Sequence, residues 1–543
     1  MNTNRRSILA AGAFGFGGLL LRNTANALAA IDIFPIVETA QGKVRGLASG
    51  GVSKFKGVRY GADTSGKNRF MPPMPPPKWT GVRDAFEYGQ VAPQMPTNRS
   101  AAYSGLIHFD IQPGGMGEDC LVSNIWTPSL DKNAKLPVLL HVHGGGFYGG
   151  SGNSPGYDGE ELARFGHCVV ITINHRLGAF GYMNLAAEGA QFAHSGAAGM
   201  MDIVAALRWI RENVAAFGGD PSRVLVFGQS GGGAKTSVLM GMPAAKGLFK
   251  SAGIMSGSLL KLASVEAAQK TTASLMNALS IPKGQAKRLQ SITFEDLLAA
   301  QANLEAADRA KGEAPRSFAP TIDGDAIPAN PWDPTAPAVS ADIPLIVSTV
   351  IDERAYRLAN YDLDEKGLRA FIAKRVGEAK ADEVTSMYRQ EDPAAKPFVL
   401  QCRFDTDETF RKSALALTEL KSQQAKQGGA PVWHYLWQVP TVAYDGRYGT
   451  PHGSDVGPSL HDVRGGLNDS THESVINADQ LASAWVSLAA KGDPNNAKTP
   501  QWPAYTAPER STLVFEKHIT RAVSDPRRKF REFWEKQPPA ASF

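Results

Sequence analysis

The stretch that most constrains the fold is VLVFGQSGGGAKTSVLM, Val224 to Met240. An apolar, valine-rich run breaks off at Gly-Gln-Ser-Gly-Gly-Gly, and a helix-like stretch follows. Near-continuous apolar strands are buried on both faces, as in parallel sheets covered by helices. G-x-S-x-G between strand and helix reads as a nucleophile elbow, with Ser230 on a sharp, strained turn and its hydroxyl above the sheet edge. Side chains at Gly228 and Gly232 are expected to collide with neighbouring backbone. The helix points the positive end of its dipole at the serine. The N–H of Gly231, the residue after the serine, is placed to bind an oxyanion.

Five further runs have the same strand character: Leu136 to His143, His167 to His175, Ala252 to Gly257, Ile343 to Val350 and Pro431 to Val439. With Arg223 to Gln229 they make a series of buried strands. Between two of them, Ile203, Leu207, Ile210, Val214 and Phe217 recur at steps of three and four, an apolar helical stripe stopped by Gly218-Gly219 and Pro221. Strand, helix, strand in that order requires a crossover, hence an α/β fold with a mainly parallel sheet. Two more polar, helical regions, about 261–314 and 355–426, interrupt the series and are expected to roof a site. The proline-rich RFMPPMPPPKW, Arg69 to Trp79, is a stiff, extended strap.

A second glycine loop, HVHGGGFYGGSG, follows the strand ending at His143. Bare amides at Gly144, Gly145 and Gly146 suit stabilisation of charge on an acyl oxygen. A phosphate-cradling loop fits less well, because no Lys-Ser/Thr follows.

These segments, with several others, resemble the type-B carboxylesterase family, which includes the cholinesterases. FKGVRYG (Phe55 to Gly61), RFMPPMPPPKW, GEDCLVSNIWTP (Gly117 to Pro128), FGGDPSRVLVFGQSGGG (Phe217 to Gly233), LFKSAGIMSGS (Leu248 to Ser258) and FAPTIDGDAIP (Phe318 to Pro328) all have counterparts there. The resemblance spans nearly all of the mature chain. It implies an α/β-hydrolase fold, with a large mainly parallel sheet, helices on both faces and helical insertions over the active site. It also implies a serine hydrolase that cleaves small carboxylic esters through an acyl-enzyme, without cofactor or metal. The implied triad is Ser230 as nucleophile, Glu353 as acid with Asp352 as the alternative, and His452 in GTPHGSDVG as base. The implied oxyanion hole is the N–H groups of Gly145, Gly146 and Gly231. His461 is a nearby competitor in unlike surroundings, and His143 is expected to shape the glycine loop.

The sequence departs from the family at several places. Gln229 stands where a glutamate is usual. Its neutral amide either alters substrate binding, by removing a pull on cationic groups, or holds a hydrogen bond. Between Gln94 and Glu118 the aromatic residues are Tyr103 and Phe109, with no tryptophan, so a choline ester is a poor fit. Ala92 replaces the usual cysteine partner, which leaves Cys120 unpaired. Ser348 and Arg354 replace glycines around the acid, and DVGPSLHDV departs from the usual stretch after the histidine.

Residues 1–29 read as a bacterial twin-arginine export signal: Arg5-Arg6, a Gly-diluted apolar run to Leu21, and small-residue cleavage sites before position 30. That run is too short and diluted for a membrane span. An exported, periplasmic or secreted protein without a stable membrane anchor is expected, with the hydrolase domain over 30–543. Three cysteines, Cys120, Cys168 and Cys402, make no disulfide framework. The net charge of +5 is scattered, and the short cluster Arg527, Arg528, Lys529 reads as solvated surface, so no nucleic-acid partner is expected. No His-Glu-x-x-His or zinc-spaced Cys/His cluster occurs. An amidase or thioesterase would share the machinery, and a non-catalytic adhesion member would share the fold. The sequence leaves the acyl and alcohol groups and the oligomeric state open.

Overall fold

The computed structural model describes residues 32–96 and 101–538, so the expected export signal lies outside the described residues. Fourteen strands are present among them. They are β1 (Ile36–Glu38), β2 (Lys43–Arg45), β3 (Leu47–Ser49), β4 (Val52–Arg59), β5 (Val82–Asp84), β6 (Val122–Thr127) and β7 (Leu136–Val142), followed by β8 (Val169–Ile173), β9 (Gly219–Gln229), β10 (Ser251–Met255), β11 (Leu345–Val350), β12 (Val432–Trp437), β13 (Ser511–Phe515) and β14 (Thr520–Ser524).

β1, β2 and β5 make a small sheet, and the other eleven form one sheet in the order β14-β13-β12-β11-β10-β9-β7-β8-β6-β4-β3. From β8 through β13 the neighbours are parallel, and antiparallel pairs occur only toward the two edges. All six strand expectations are met to within a few residues. β7, β8, β10, β11 and β12 are buried at every position, which is why they carry unbroken apolar runs rather than alternation.

One face of the sheet is covered by the helix Ala198–Asn213, which buries Ile203, Leu207 and Ile210. The other is covered by the helix His472–Lys491, whose Trp485 lies over β9 and β10, so close to Gly253 that a Cβ there would meet the indole at 2.4 Å. The first polar insertion folds as helices Val265–Ala278 and Phe294–Ala310. The second folds as Glu365–Val376, Glu378–Glu391, Pro397–Thr406 and Lys412–Lys426.

Arg527 departs from the sequence expectation. Its neighbours Arg528 and Lys529 are exposed, but its own side chain is buried and paired with Glu391 at 2.6 Å and with Asp407. Two carboxylates on the second insertion offset the desolvation of this cation, which a count of charges along the chain cannot reveal.

Candidate active site

Four parallel strands deliver the site from their carboxyl ends. β9 ends at Gln229 and the chain turns at Ser230, whose φ of 59° and ψ of −122° precede the helix Gly231–Leu239. A non-glycine residue held there stores roughly 1–3 kcal/mol of strain. The Ser230 N–H donates to Met255 O at 2.8 Å, which ties the turn to β10. Glycines surround it for want of space. A Cβ at Gly228 would lie 2.4 Å from Val142 O, and one at Gly232 would lie 2.0 Å from the same oxygen.

The glycine loop leaves β7 and closes on this turn. A Cβ at Gly231 would stand 2.3 Å from Gly146 N, so the two backbones touch. Gly145 and Gly146 have φ of +88° and +62°. The Gly231 N–H is the first of the donors that a helix start leaves without an intrahelical acceptor. The Gly144 N–H donates to Tyr157 Oη at 3.1 Å, and Phe109 stacks on Tyr157 at 4.6 Å. Gln94 holds the far end of the loop, accepting from Gly150 N at 2.7 Å and donating to Gly150 O at 3.0 Å. Phe109 and Gln94 therefore brace the loop in a region where Cys120 is free and buried.

Glu353 follows β11 and is fully buried; its Oε1 accepts from Val350 N at 3.0 Å and its Oε2 accepts from His452 Nδ1. The His452 ring lies against Tyr356 at 4.7 Å and Phe410 at 5.2 Å, and Tyr103 Oη donates to the His452 carbonyl. With Nδ1–H given to a carboxylate, the neutral ring presents its lone pair at Nε2. The Gln229 side-chain amide nitrogen lies 3.1 Å from that atom. Gln229 is 2% exposed, and its amide faces the His452 ring.

Asp352 lies elsewhere. Its Oδ1 accepts from Arg403 Nε at 2.9 Å and its Oδ2 from Thr450 N at 3.0 Å, while its own N–H donates to Thr450 O at 3.1 Å. It joins the turn bearing Glu353 to the loop bearing His452. Burial raises its carboxyl above the ordinary value, against the opposing pull of Arg403. His461 is remote from this contact set, bonded through Nε2 to Asp479 at 2.8 Å and stacked on Phe165. His143 shapes the glycine loop, with Nδ1–H donating to Gly144 O at 2.8 Å.

Sequence reasoning missed three supports. Lys235 on the helix after Ser230 is fully buried, and its Nζ donates to His143 O at 3.1 Å. It lies among His141, His143 and His175, and burial brings its pKa down to about 7. Asp455 is buried, accepts from Tyr435 Oη at 2.9 Å, and is raised to about 7 by burial and then by the nearby charge of Glu353. The third support is the Asp352–Arg403 pair. A lysine inside GGGAKTSVLM, otherwise small and apolar, was the one available signal for the first.

Residues 34–534 match the model of the carboxylesterase family. The chain belongs to that family. Over 495 residues this carboxylesterase is 34% identical to the para-nitrobenzyl esterase of Bacillus subtilis (strain 168), covering 89% of the chain and 95% of the relative. It is 31% identical to the phenmedipham hydrolase of Pseudarthrobacter oxydans, covering 88% and 94%. Among solved structures it resembles an esterase of Clostridium hathewayi described as hydrolysing aliphatic aromatic polyesters, with a TM-score of 0.80, 31% identity, and coverage of 93% of the chain and 99% of the other. The carboxylesterase has the α/β-hydrolase fold and is a carboxylic ester hydrolase.

Proposed function

We propose that this carboxylesterase cleaves uncharged carboxylic esters through an acyl-enzyme formed on Ser230, with His452 as base and Glu353 as acid. The observation that carries the reading is the buried bond between Glu353 Oε2 and His452 Nδ1, beside a serine held at positive φ. His452 Nε2 takes the Ser230 proton as Oγ attacks the ester carbonyl, then returns it to the leaving alcohol. Glu353 keeps the proton on Nδ1 and stabilises the imidazolium. The N–H groups of Gly145, Gly146 and Gly231 receive the oxyanion, where each donor is worth about 10²–10³ in rate. Water repeats the sequence to release the acid.

The neutral amide at Gln229 and the relatives named for para-nitrobenzyl esters and phenmedipham support neutral rather than cationic substrates. The test is a p-nitrophenyl ester series, acetate to octanoate, on the native enzyme and on Ser230→Ala, with fluorophosphonate labelling mapped by mass. Loss of turnover and of label in the variant supports the assignment, and retained turnover removes it. Matched anilides and thioesters separate esterase from amidase and thioesterase. Residues 1–29 are proposed to direct export, a reading supported by Arg5-Arg6 and the small residues before position 30. Retention of the full chain in the cytoplasm, or export unchanged when Arg5 and Arg6 are both replaced by Lys, would overturn it.

A further inference from the structure

We propose that Gln229 is a positioning residue that caps the base in the free enzyme and yields it to Ser230 only when substrate enters. The triad assignment underlies this inference. His452 Nδ1 is committed to Glu353, so Nε2 is the acceptor of the neutral ring, and the Gln229 amide N–H is the donor aimed at it at 3.1 Å. Among the described residues, Ser230 Oγ has no hydrogen bond to that nitrogen. One lone pair accepts one strong hydrogen bond, so Gln229 and Ser230 compete for it.

An amide suits this post in a way a carboxylate does not. Its N–H₂ donates to the lone pair of the neutral imidazole and has nothing to offer the protonated ring in that position. A carboxylate has only acceptors and would serve the charged ring alone. Gln229 is confined enough to hold the position: it is the last residue of β9, pairs in register with Met255, and lies close below Gly453.

The groups facing His452 are Glu353 at Nδ1, Tyr356 and Phe410 against the ring, and Tyr103 on its carbonyl. Asp455 with Tyr435, and Asp352 with Arg403, stand behind Glu353. All are common to variants at position 229, so differences between those variants isolate the cap.

The experiment measures the pH dependence of the acylation rate, by pre-steady-state burst, for native enzyme, Gln229→Met and Gln229→Glu. A donor on the lone pair opposes protonation, an apolar group is neutral toward it, and a carboxylate favours it. The acid limb should move to higher pH in the order Gln, Met, Glu, by about half a unit or more at each step. Above the limb, Gln229→Met should acylate about two- to tenfold faster, the rate equivalent of one hydrogen bond no longer broken. Coincident acid limbs for Gln and Met would overturn the cap. Should Gln229→Met not fold, a crystal structure of the native enzyme phosphonylated at Ser230 decides: a Gln229 nitrogen withdrawn from Nε2 supports the proposal, and one still bonded to it overturns it. Turnover or labelling without Ser230 would instead sink the triad assignment.

Discussion

The ammonium of Lys235 donates to the carbonyl of His143, the residue directly before the three glycines of the glycine loop. The helix that starts after Ser230 is thereby fastened to the loop that faces it. The bond is made in full burial, which pushes the lysine's pKa down to about 7.

A buried lysine with a lowered pKa gives stability a definite pH dependence. Between about 7 and 10.5 the unfolded chain binds the proton and the folded one does not, so this group's contribution to stability rises with pH across that window. Its cost is fully present below 7. Lys235→Met should therefore stabilise the protein most at pH 6, by about 1–4 kcal/mol, and least near pH 10. The same variant should lose kcat, because His143 O is no longer held. Thermal melts across pH and a kcat measurement check both halves.

Asp455 runs the other way. Its carboxyl is raised to about 7, so the folded protein holds a proton that the unfolded chain has released, and stability falls as pH climbs from about 4 to 7. Asp455→Asn should be more stable than the native enzyme at pH 8, with the gain vanishing near pH 4. Paired chemical denaturation curves at those pH values measure the difference.

The two adjacent acids have separable duties. Glu353→Gln should reduce kcat by about 10³–10⁴ with the fold intact. Asp352→Asn should keep most of kcat and lose stability, and Asp352→Ala more so, about 1–3 kcal/mol, since buried Arg403 loses its shortest ion pair and keeps only Asp392 and Glu391. Steady-state kinetics beside urea midpoints distinguish them, and the reverse pattern would exchange their roles.

Tyr157→Phe removes the acceptor of the Gly144 N–H while preserving the stack on Phe109. The loop should loosen by about one hydrogen bond, lowering kcat roughly three- to tenfold with little change in KM. A ground-state binding role would move KM instead.

What the sequence made legible follows from range. The central strands are buried on both faces and so spell themselves out as apolar runs, and the elbow is a local event of a few residues. Glu353 and His452 came from resemblance to a family, since nothing in their spacing brings a carboxylate and an imidazole together across 99 residues. The contacts that set Gln229 and Lys235 to work join residues 223 and 92 apart. Their partners, an imidazole nitrogen and a backbone carbonyl, are invisible in sequence pattern. Arg527 misled for the same reason, because its counterions come from two helical segments more than a hundred residues away in sequence.

The pair of hydrogen bonds between Asp352 and Thr450 has an architectural consequence. Chain leaving β12 at Trp437 must travel to His452, and Asp352 grips it two residues before arrival. The intervening segment is anchored by buried Thr441 and Tyr448, and its tip bears exposed Val442 and Tyr444. Selection, or an engineer, is thus free to rebuild that exposed tip for a new substrate shape while the contact between Glu353 and His452 keeps its alignment.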